Sequence, residues 1–344
     1  MGAEEESPHH HERKRVLLIV MEDDEHGYLL YKISLKALFY TAPATVHAQP
    51  RGVRRLPAPV ARFDKLPDKP ELIDFALAAG GSTLIGVSNL RRTLLHDTAS
   101  GASSAGPELQ HDKPGGTFVL PLLGGMLALR RRGGLAGELP FAEFLPAVGG
   151  GEWLALPDPP PEFCSLTRSM PVCNVTACVA AGARVWVSAA GRGTYSLEGA
   201  AWRKEGDWEL PFHGRGLFVP ELGAGLCFGL CPLTGNLCAC DINQSPPAVR
   251  YTWHDTTPRL PEGRDARYLD GSLAYLGHGK FCIAWTIGIP HRVSLIIRRR
   301  AVYLTGVKVS NTSGGRLRMI QHKVCSYKLP THARMAYPLH ADFN

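Results

Sequence analysis

The sequence predicts an all-β fold in which small sheets repeat around a common axis, a β-propeller, and three observations support this. The 344-residue chain carries 37 glycines and 27 prolines throughout its length, which favours short strands joined by turns over long helices. Glycines that precede short apolar strands recur at intervals of roughly 50 residues, the repeat length of a four-stranded blade. Tryptophans near strand ends recur with a similar spacing.

The glycine repeat consists of five positions, each followed at once by a strand candidate. The glycines are Gly81, Gly125, Gly182, Gly225 and Gly279. The strands that follow them are Ser82–Val87, Met126–Leu129, Arg184–Val187, Leu226–Leu230 and Lys280–Trp285. We expect each glycine to precede the innermost strand of its blade and to permit close backbone approach near the axis.

The tryptophan repeat predicts how neighbouring blades pack. Trp153, Trp208 and Trp253 each stand near the end of a repeat. One small sheet cannot cover both of its faces, whereas radial packing against neighbours covers them, and a large flat side chain fills the gap between sheets. We therefore interpret these tryptophans as core residues rather than as platforms for sugars or bases.

The repeat also predicts the domain organisation. Blades are expected near residues 15–60, 71–105, 115–157, 172–212, 216–253 and 270–330, which makes six, with five to seven compatible with the spacing. Residues 1–14 are predicted as a disordered N-terminal tail, 15–330 as the propeller and 331–344 as a C-terminal tail. Val16–Met21 is expected to close the ring by joining the final strands near Leu317–Leu329. A pair of glycine-rich β-sandwiches with accidental spacing remains the alternative.

Charge and cysteine content limit the environment and the partners. Lys and Arg number 38 against 31 Asp and Glu, a surplus that is compatible with binding a polyanion without requiring it. Residues 1–14 lack an apolar signal core, and no uninterrupted apolar stretch is long enough for a membrane helix. The nine cysteines are therefore interpreted as reduced core residues. We expect a cytoplasmic or nuclear monomer that binds no membrane.

Several blocks resemble one known family. The most recognisable is GTYSLEGAAWRKEGDWELPFHGRGLFVPELGAGLCFGL at 193–230. The others, in the same order as in the family, are YLLYKISLKALFY (28–40), LLHDTASGASSAGPEL (94–109), YLGHGKFCIAW (275–285) and LTGVKV (304–309). They resemble a plant family of unknown function that is expanded in grasses and related to kelch-like propellers. The resemblance implies a kelch-like β-propeller and no established activity.

The resemblance also bears on a known accessory module. Many plant relatives of kelch type carry an N-terminal F-box that recruits a ubiquitin ligase. Here 14 residues precede the first predicted strand, so we expect no F-box and no role as a ligase adaptor. The Gly-Gly pairs typical of kelch blades occur at Gly80-Gly81 and Gly124-Gly125, whereas later repeats have a single glycine.

No catalytic motif is found in the sequence. Gly101–Gly106 is one residue too long for a nucleophile elbow, Gly223-Ala-Gly225 lacks the third glycine of a dinucleotide loop, and Gly279-Lys280 is followed by Phe. We accordingly predict no catalytic or cofactor-binding residue and no cofactor.

One cysteine group raises the question of a metal. Cys227, Cys231, Cys238 and Cys240 could in principle hold zinc, but their spacing lacks the paired Cys-x-x-Cys of common zinc modules. We interpret them as small buried hydrophobes, with Cys238 and Cys240 on one face and Cys227 across from them. No metal is predicted.

Two arginine runs are the sharpest candidates for an interaction surface: Arg130, Arg131 and Arg132, and Arg298, Arg299 and Arg300. Each follows an apolar strand and is expected in a loop at a rim of the propeller. On a shared face they would attract an acidic or phosphate-rich partner. No aromatic residues alternate with the arginines, so nucleic-acid binding is not expected.

The most consistent function is a non-catalytic platform that binds a protein partner with the loops of one face. Two alternatives remain open at this point. One is a hydrolase or lyase with its site at the propeller channel, which predicts several convergent Asp, Glu or His residues. The other is binding of nucleic acid or an acidic partner through the arginine runs, which predicts a steep salt dependence.

Overall fold

The structure, a computed structural model, describes residues 16–39, 52–78, 80–133, 140–148, 151–164, 173–260, 265–290, 297–330 and 336–341. The predicted N-terminal tail, residues 1–14, lies outside this set. Helices in the described ranges are limited to α1 (Lys36–Phe39), α2 (Pro161–Cys164) and a 3-10 turn at Pro220–Leu222. The strands are β1 (Val16–Asp23), β2 (Gly27–Ser34), β3 (Val53–Arg55), β4 (Ala61–Phe63), β5 (Ile73–Leu77), β6 (Thr83–Ser88), β7 (Thr93–Asp97), β8 (Ser103–Ala105), β9 (Thr117–Leu122), β10 (Gly125–Arg130), β11 (Ala142–Pro146), β12 (Leu154–Ala155), β13 (Val175–Ala181), β14 (Arg184–Ala189), β15 (Gly193–Glu198), β16 (Ala201–Gly206), β17 (His213–Phe218), β18 (Leu226–Leu230), β19 (Leu237–Asp241), β20 (Ala248–Trp253), β21 (Arg267–Tyr275), β22 (Lys280–Pro290), β23 (Ile297–Asn311), β24 (Leu317–Lys328) and β25 (Ala336–Ala341).

These strands form antiparallel meanders that follow one another along the chain. Their strand orders are β25-β1-β2-β4 in the first unit, β5-β6-β7-β8 in the second, β9-β10-β11-β12 in the third and β21-β22-β23-β24-β3 in the last. Between them, an eight-stranded sheet consists of two further meanders, β13-β14-β15-β16 and β17-β18-β19-β20. A short parallel pairing joins these two, with Ala177 opposite Gly214 and Cys178 opposite Arg215.

The innermost strands of the units form a closed ring. Contacts run from β25 to β5, β9, β13, β17 and β21 in turn, and β21 contacts β25 again. Sheets fanned around a common axis in this way are a β-propeller, so the predicted fold class is confirmed. Two stacked layers could not bring the first and last units into contact through their innermost strands, and the sandwich alternative is therefore wrong.

Ring closure differs from the prediction. β1 pairs with β25, which places Leu18 opposite Leu339, and not with the strand that ends near Leu329. The outer edge of that strand, β24, is instead occupied by β3 in parallel pairing. Residues 336–341, predicted as part of a C-terminal tail, are thus the innermost strand of the first unit. Pro338 argued against predicting a strand here, because proline is tolerated only at special strand positions.

Apolar residues seal each pair of neighbouring units. Because side chains alternate between the faces of a strand, Leu17 and Ile19 pack toward the last unit while Leu18 and Val20 pack toward the second. Trp153 is fully buried between the second and third units, and its Nε1 donates to Thr93 Oγ1 at 3.0 Å. The predicted packing role of this tryptophan is confirmed.

The repeating glycines lie elsewhere in the units than predicted. Four of them precede the second strand of a unit, in the connection that follows the innermost strand, and Gly125 is the first residue of that second strand. A Cβ atom at Gly125 would overlap the carbonyl oxygen of Leu145, and one at Gly279 would overlap that of Val309. At these two positions, glycine permits close approach to the third strand of the same sheet and not to the propeller axis.

Candidate functional site

A cavity of about 410 Å³ occupies the centre of the ring. Every innermost strand contributes to its wall, through Ala76, Leu120, Ala180, Arg215, Asp270 and Leu339. A volume of this size lies within the range of small-molecule sites. We call the side of the propeller on which the innermost strands begin the start face, and the opposite side the end face.

Arg215 extends from β17 across this central channel. Its Nη1 donates to the carbonyl oxygens of Phe75 at 2.8 Å and Val119 at 3.1 Å. Its Nη2 lies 2.6 Å from Oδ1 of Asp74. One guanidinium therefore joins the fifth unit to the second and third, and its planar array of donors suits these separate acceptors.

Asp74 is shared between two arginines. Its Oδ2 accepts the Val119 N–H at 2.7 Å, and Nη2 of Arg131 lies 3.4 Å from its Oδ1. Arg131 also donates from Nε to the Thr117 carbonyl at 2.7 Å and lies 4.3 Å from the ring centre of Phe118. One carboxylate thus faces two guanidinium groups at the centre of the ring.

A second carboxyl enters the channel from β21. A register irregularity between Tyr268 and Asp270 interrupts the regular pairing there, and the Gly271 N–H donates to Asp270 Oδ1 at 2.9 Å. Burial raises the pKa of Asp270, an effect opposed by that hydrogen bond and by the positive fields of Arg131 and His213. The protonated carboxyl is therefore stabilised relative to an exposed aspartate.

The two halves of the channel differ in chemistry. Asp74, His213 and Arg215 stand near the beginnings of their strands, so the charged groups lie toward the start face. The other half is lined mainly by apolar residues near strand ends: Leu77, Pro121, Ala180, Leu217 and Phe218. The channel is therefore amphipathic along its axis.

The first predicted arginine run does not form a surface patch. Arg130 ends β10 and is 6% exposed, so its predicted place in a rim loop is wrong. Arg131 lines the channel, and Arg132 is exposed beside a bridge to Asn174. The reason is that β10 continues through Arg130, whose partner is Thr117 at the beginning of β9.

The second run also lies in a strand. Arg298, Arg299 and Arg300 belong to β23, and Arg300 is opposite Gly288. The predicted loop is therefore wrong here as well, because β22 and β23 extend beyond the apolar segment that suggested them. The side chain of Arg300 is half-buried, and those of Arg298 and Arg299 lie outside the described part of the structure.

The register of the last sheet brings further cations to the same edge. Gly288 is also opposite Arg267, at the beginning of β21. Ala301 is opposite Lys328, which in turn is opposite Arg55 of β3. We define the basic edge as the resulting row at the start face: Arg54, Arg55, Arg267, Arg298, Arg299, Arg300 and Lys328.

The candidate zinc cysteines pack on one face of the fifth unit, where Cys238 and Cys240 lie together as their alternation predicted. Cys227 is opposite Cys240, and with Cys238 and Cys231 they pack toward the fourth unit. Burial raises the pKa of Cys238 and of Cys240 to about 12. Throughout the described ranges, no group of three or more His, Cys, Asp or Glu residues could hold a metal ion. The thiols serve as small apolar side chains between two sheets.

Of the charged channel residues, the sequence analysis singled out Arg131, as part of a predicted surface run, and it did not identify Asp74 or Arg215. Asp74 stands inside an otherwise apolar strand, and Arg215 stands between two glycines. A charged residue within an otherwise apolar or glycine-rich strand is the one local signal that could have indicated Asp74 and Arg215, because a buried charge requires a partner. The partners come from other units and have no signature in the local sequence.

The described residues contain no helix with the length and apolar character needed to span a membrane. No curated protein matches the sequence.

Similar solved structures include a putative 6-phosphogluconolactonase from Bacteroides uniformis, with 9% identity, coverage of 95% of this chain and 100% of that chain, and a TM-score of 0.47. YCF48 bound to D1 peptide is 13% identical, with 91% and 93% coverage and a TM-score of 0.40. Dihydro-heme d1 dehydrogenase NirN in complex with DHE is 10% identical, with 97% and 77% coverage and a TM-score of 0.38. Likenesses this distant assign no function to the chain.

The sequence itself gives the clearest relationship. A family model described as "Protein of unknown function (DUF1668)" matches residues 13–327. The match extends from the beginning of the first unit to the end of β24 and so covers nearly all of the propeller. The chain therefore belongs to the DUF1668 family.

Proposed function

We propose that this chain is a non-catalytic binding protein whose start face holds a protein partner through an acidic segment of that partner. The observation that supports this best is the basic edge, in which strand register aligns cations from four strands. We further propose a cytoplasmic or nuclear monomer of plant origin and kelch-type ancestry, in keeping with the family resemblance of its sequence blocks.

The charge distribution favours an acidic partner. Arg54 and Arg55 are exposed on the outermost strand of the last unit, and Arg267 is exposed on the innermost. Cations distributed along one edge produce a field that steers an oppositely charged partner and fixes its orientation.

The channel geometry supports binding rather than acid–base chemistry. A hydrolase or lyase needs an acid and a base that converge on its substrate. Both oxygens of Asp74 instead accept hydrogen bonds, from Val119 N–H and from Arg215. Among the described residues that line the cavity, Asp270 is the only carboxyl, so no pair of carboxyls converges there.

The test is affinity purification from native tissue followed by mass spectrometry. Two double variants, Arg54→Ser/Arg55→Ser and Arg298→Ser/Arg299→Ser, each remove two charges from the basic edge. Although these pairs are far apart in the sequence, we expect both variants to lose the same partners because the fold joins their strands. The matched control is Arg316→Ser/Arg318→Ser, which removes two exposed charges near the turn between β23 and β24 at the end face.

Three results would contradict the proposal. The first is recovery of the same partners by wild type and both edge variants. The second is a partner that nuclease treatment releases and whose affinity falls steeply with salt, which would indicate nucleic acid. The third is loss of partners in the control variant to the same extent as in the edge variants.

A further inference from the structure

The central channel and the basic edge are separate features, and the channel supports an inference of its own. We propose that the channel binds a small uncharged molecule, which donates a hydrogen bond from a hydroxyl group to Asp270 and packs an apolar body against the half of the cavity near the end face. Because the residues concerned lie inside the ring, this inference does not depend on the protein partner proposed above.

The hydrogen-bonding feature of the channel is one carboxyl oxygen of Asp270, a residue that lines the cavity. The Gly271 N–H donates to Oδ1 at 2.9 Å, whereas Oδ2 accepts no hydrogen bond from the described residues. The register irregularity between Tyr268 and Asp270 lies at this point of β21, and such irregularities redirect side chains. A carboxylate in a largely buried site is stabilised by each hydrogen bond that it accepts. A ligand with an O–H group therefore provides a donor that the described residues do not.

The formal charges around the cavity favour an uncharged ligand. The titratable residues in the described part of its lining are Arg131, His213, Arg215, Asp270 and Tyr275. Both arginines form ion pairs with Asp74, and Asp270 lies within the field of Arg131. In their ordinary ionised forms, the two carboxylates and the two guanidinium groups cancel. A charged ligand would therefore lose its hydration without meeting a net opposite charge.

The half of the cavity near the end face determines the rest of the ligand. Leu77, Pro121, Leu217 and Phe218 present apolar surface there, and the short side chain of Ala180 leaves space between them. A ligand that is polar along its whole length would lose water against this wall without gaining partners. A compact apolar body with one terminal hydroxyl group matches both halves of the 410 Å³ cavity.

The experiment is isothermal titration calorimetry with the full chain at pH 8, where an ordinary histidine is uncharged and an ordinary carboxyl is ionised. The probe is 3-phenyl-1-propanol. Its methyl ether keeps the oxygen and the apolar body but cannot donate a hydrogen bond, and 3-phenylpropionate and 3-phenylpropylammonium add a negative or a positive charge. We expect one alcohol to bind per chain and the ether to bind at least about tenfold more weakly, because it loses a hydrogen bond to a charged group. Both ions should bind more weakly than the alcohol.

Replacement of the acceptor tests the role of Asp270. In Asp270→Leu, affinity for the alcohol should fall at least about tenfold, while affinity for the ether should change little, so that the two compounds bind about equally. Asp207→Leu makes the same change at an aspartate that is 90% exposed and should leave the preference for the alcohol intact. A general disturbance of the fold would weaken both compounds alike and would not remove the preference.

A second replacement tests the apolar half. Ala180→Phe fills this part of the cavity without changing a charge and should abolish binding of the alcohol and of the ether. Ala99→Phe makes the same change at an exposed turn and should have no effect. Circular dichroism and thermal unfolding establish that each variant is folded. If Asp270→Leu does not fold, the comparison of alcohol and ether on the wild-type protein, together with Ala180→Phe, decides the question.

Four results overturn the proposal. They are no binding of the alcohol to folded wild-type protein at millimolar concentration, equal binding of the alcohol and the ether, tighter binding of either ion than of the alcohol, and a preference for the alcohol that persists in folded Asp270→Leu.

Discussion

Arg215 of β17 and Asp74 of β5 form an ion pair across the centre of the propeller, with 2.6 Å between Nη2 and Oδ1. The two residues belong to the fifth and second units, which face each other across the ring. The same guanidinium binds carbonyl oxygens of Phe75 and Val119. It thereby joins sheets that share no strand pairing.

Replacing Arg215 should therefore destabilise the whole ring. In Arg215→Met, Asp74 remains buried without its nearest cation, and we expect the free energy of unfolding to fall by about 3 kcal/mol. Urea denaturation measures this. Arg203→Met is the control, because Arg203 is 67% exposed in its pair with Glu205 and should change stability by less than about 1 kcal/mol. Equal losses in the two variants would contradict the role of a tether.

A second buried pair, Lys113 with Glu143, should show strong energetic coupling. Both side chains are fully buried and lie 2.5 Å apart, and Glu143 also accepts the Gln110 N–H at 2.7 Å. Lys113→Met and Glu143→Gln should each cost about 3 kcal/mol, because each leaves a buried partner uncompensated. The double variant should lose clearly less than the sum. Additive losses in a double-mutant cycle would show that the residues do not stabilise each other.

The pH dependence of stability should change in Asp270→Asn. Because the pKa of Asp270 is raised in the folded state, the folded protein retains a proton that the unfolded chain has released. Wild-type stability therefore falls as the pH rises from the ordinary aspartate value, about 4, through the raised value. The variant should lack this fall and be the more stable protein at neutral pH. Asp207→Asn, at a residue that is 90% exposed, serves as the control for denaturation measured at several pH values.

Glycine replacements should distinguish a glycine that permits close backbone approach from one that only occupies a turn. Gly125→Ala places a Cβ against the Leu145 carbonyl, and we expect a loss of about 3 kcal/mol, at the upper end for overpacking. Gly151→Ala meets nothing within 4 Å and should stay within about 0.5 kcal/mol of wild type. Thermal unfolding of the two variants provides the comparison, and similar melting temperatures would contradict the predicted overlap.

Cys231 should react first among the thiols whose side chains the structure describes. Burial alone would raise its pKa, but hydrogen bonds from the Thr234 side chain and from the N–H groups of Thr234 and Leu233 outweigh that effect and lower the pKa. Cys178 is buried and its pKa is raised to about 12. In a Cys164→Ser background, the fast phase of labelling with a thiol reagent should account for one thiol and disappear in Cys231→Ser. A fast phase that persists would assign the reactivity to another cysteine.

Much of the fold could be predicted because the determining signals are local. Turn glycines, short apolar strands and tryptophans such as Trp153 can each be recognised within a short stretch of sequence, and every repeat shows the same pattern again. The same local pattern did not identify β25, since Pro338 interrupts a short segment with little apolar character. The arginine runs could be identified in the sequence, but the neighbouring residues did not indicate that Arg130 lies inside a strand.

The site was less predictable for a physical reason. The amino-acid sequence alone predicted repeated sheets, because turn preference and strand alternation act over a few residues. It also predicted that the cysteines are reduced. Strand pairing between distant segments decided the rest: it placed Arg55 beside Lys328, brought Asp74 under Arg215 and enclosed the channel. Such contacts depend on register and ring closure, which arise only when all the sheets have packed around one axis.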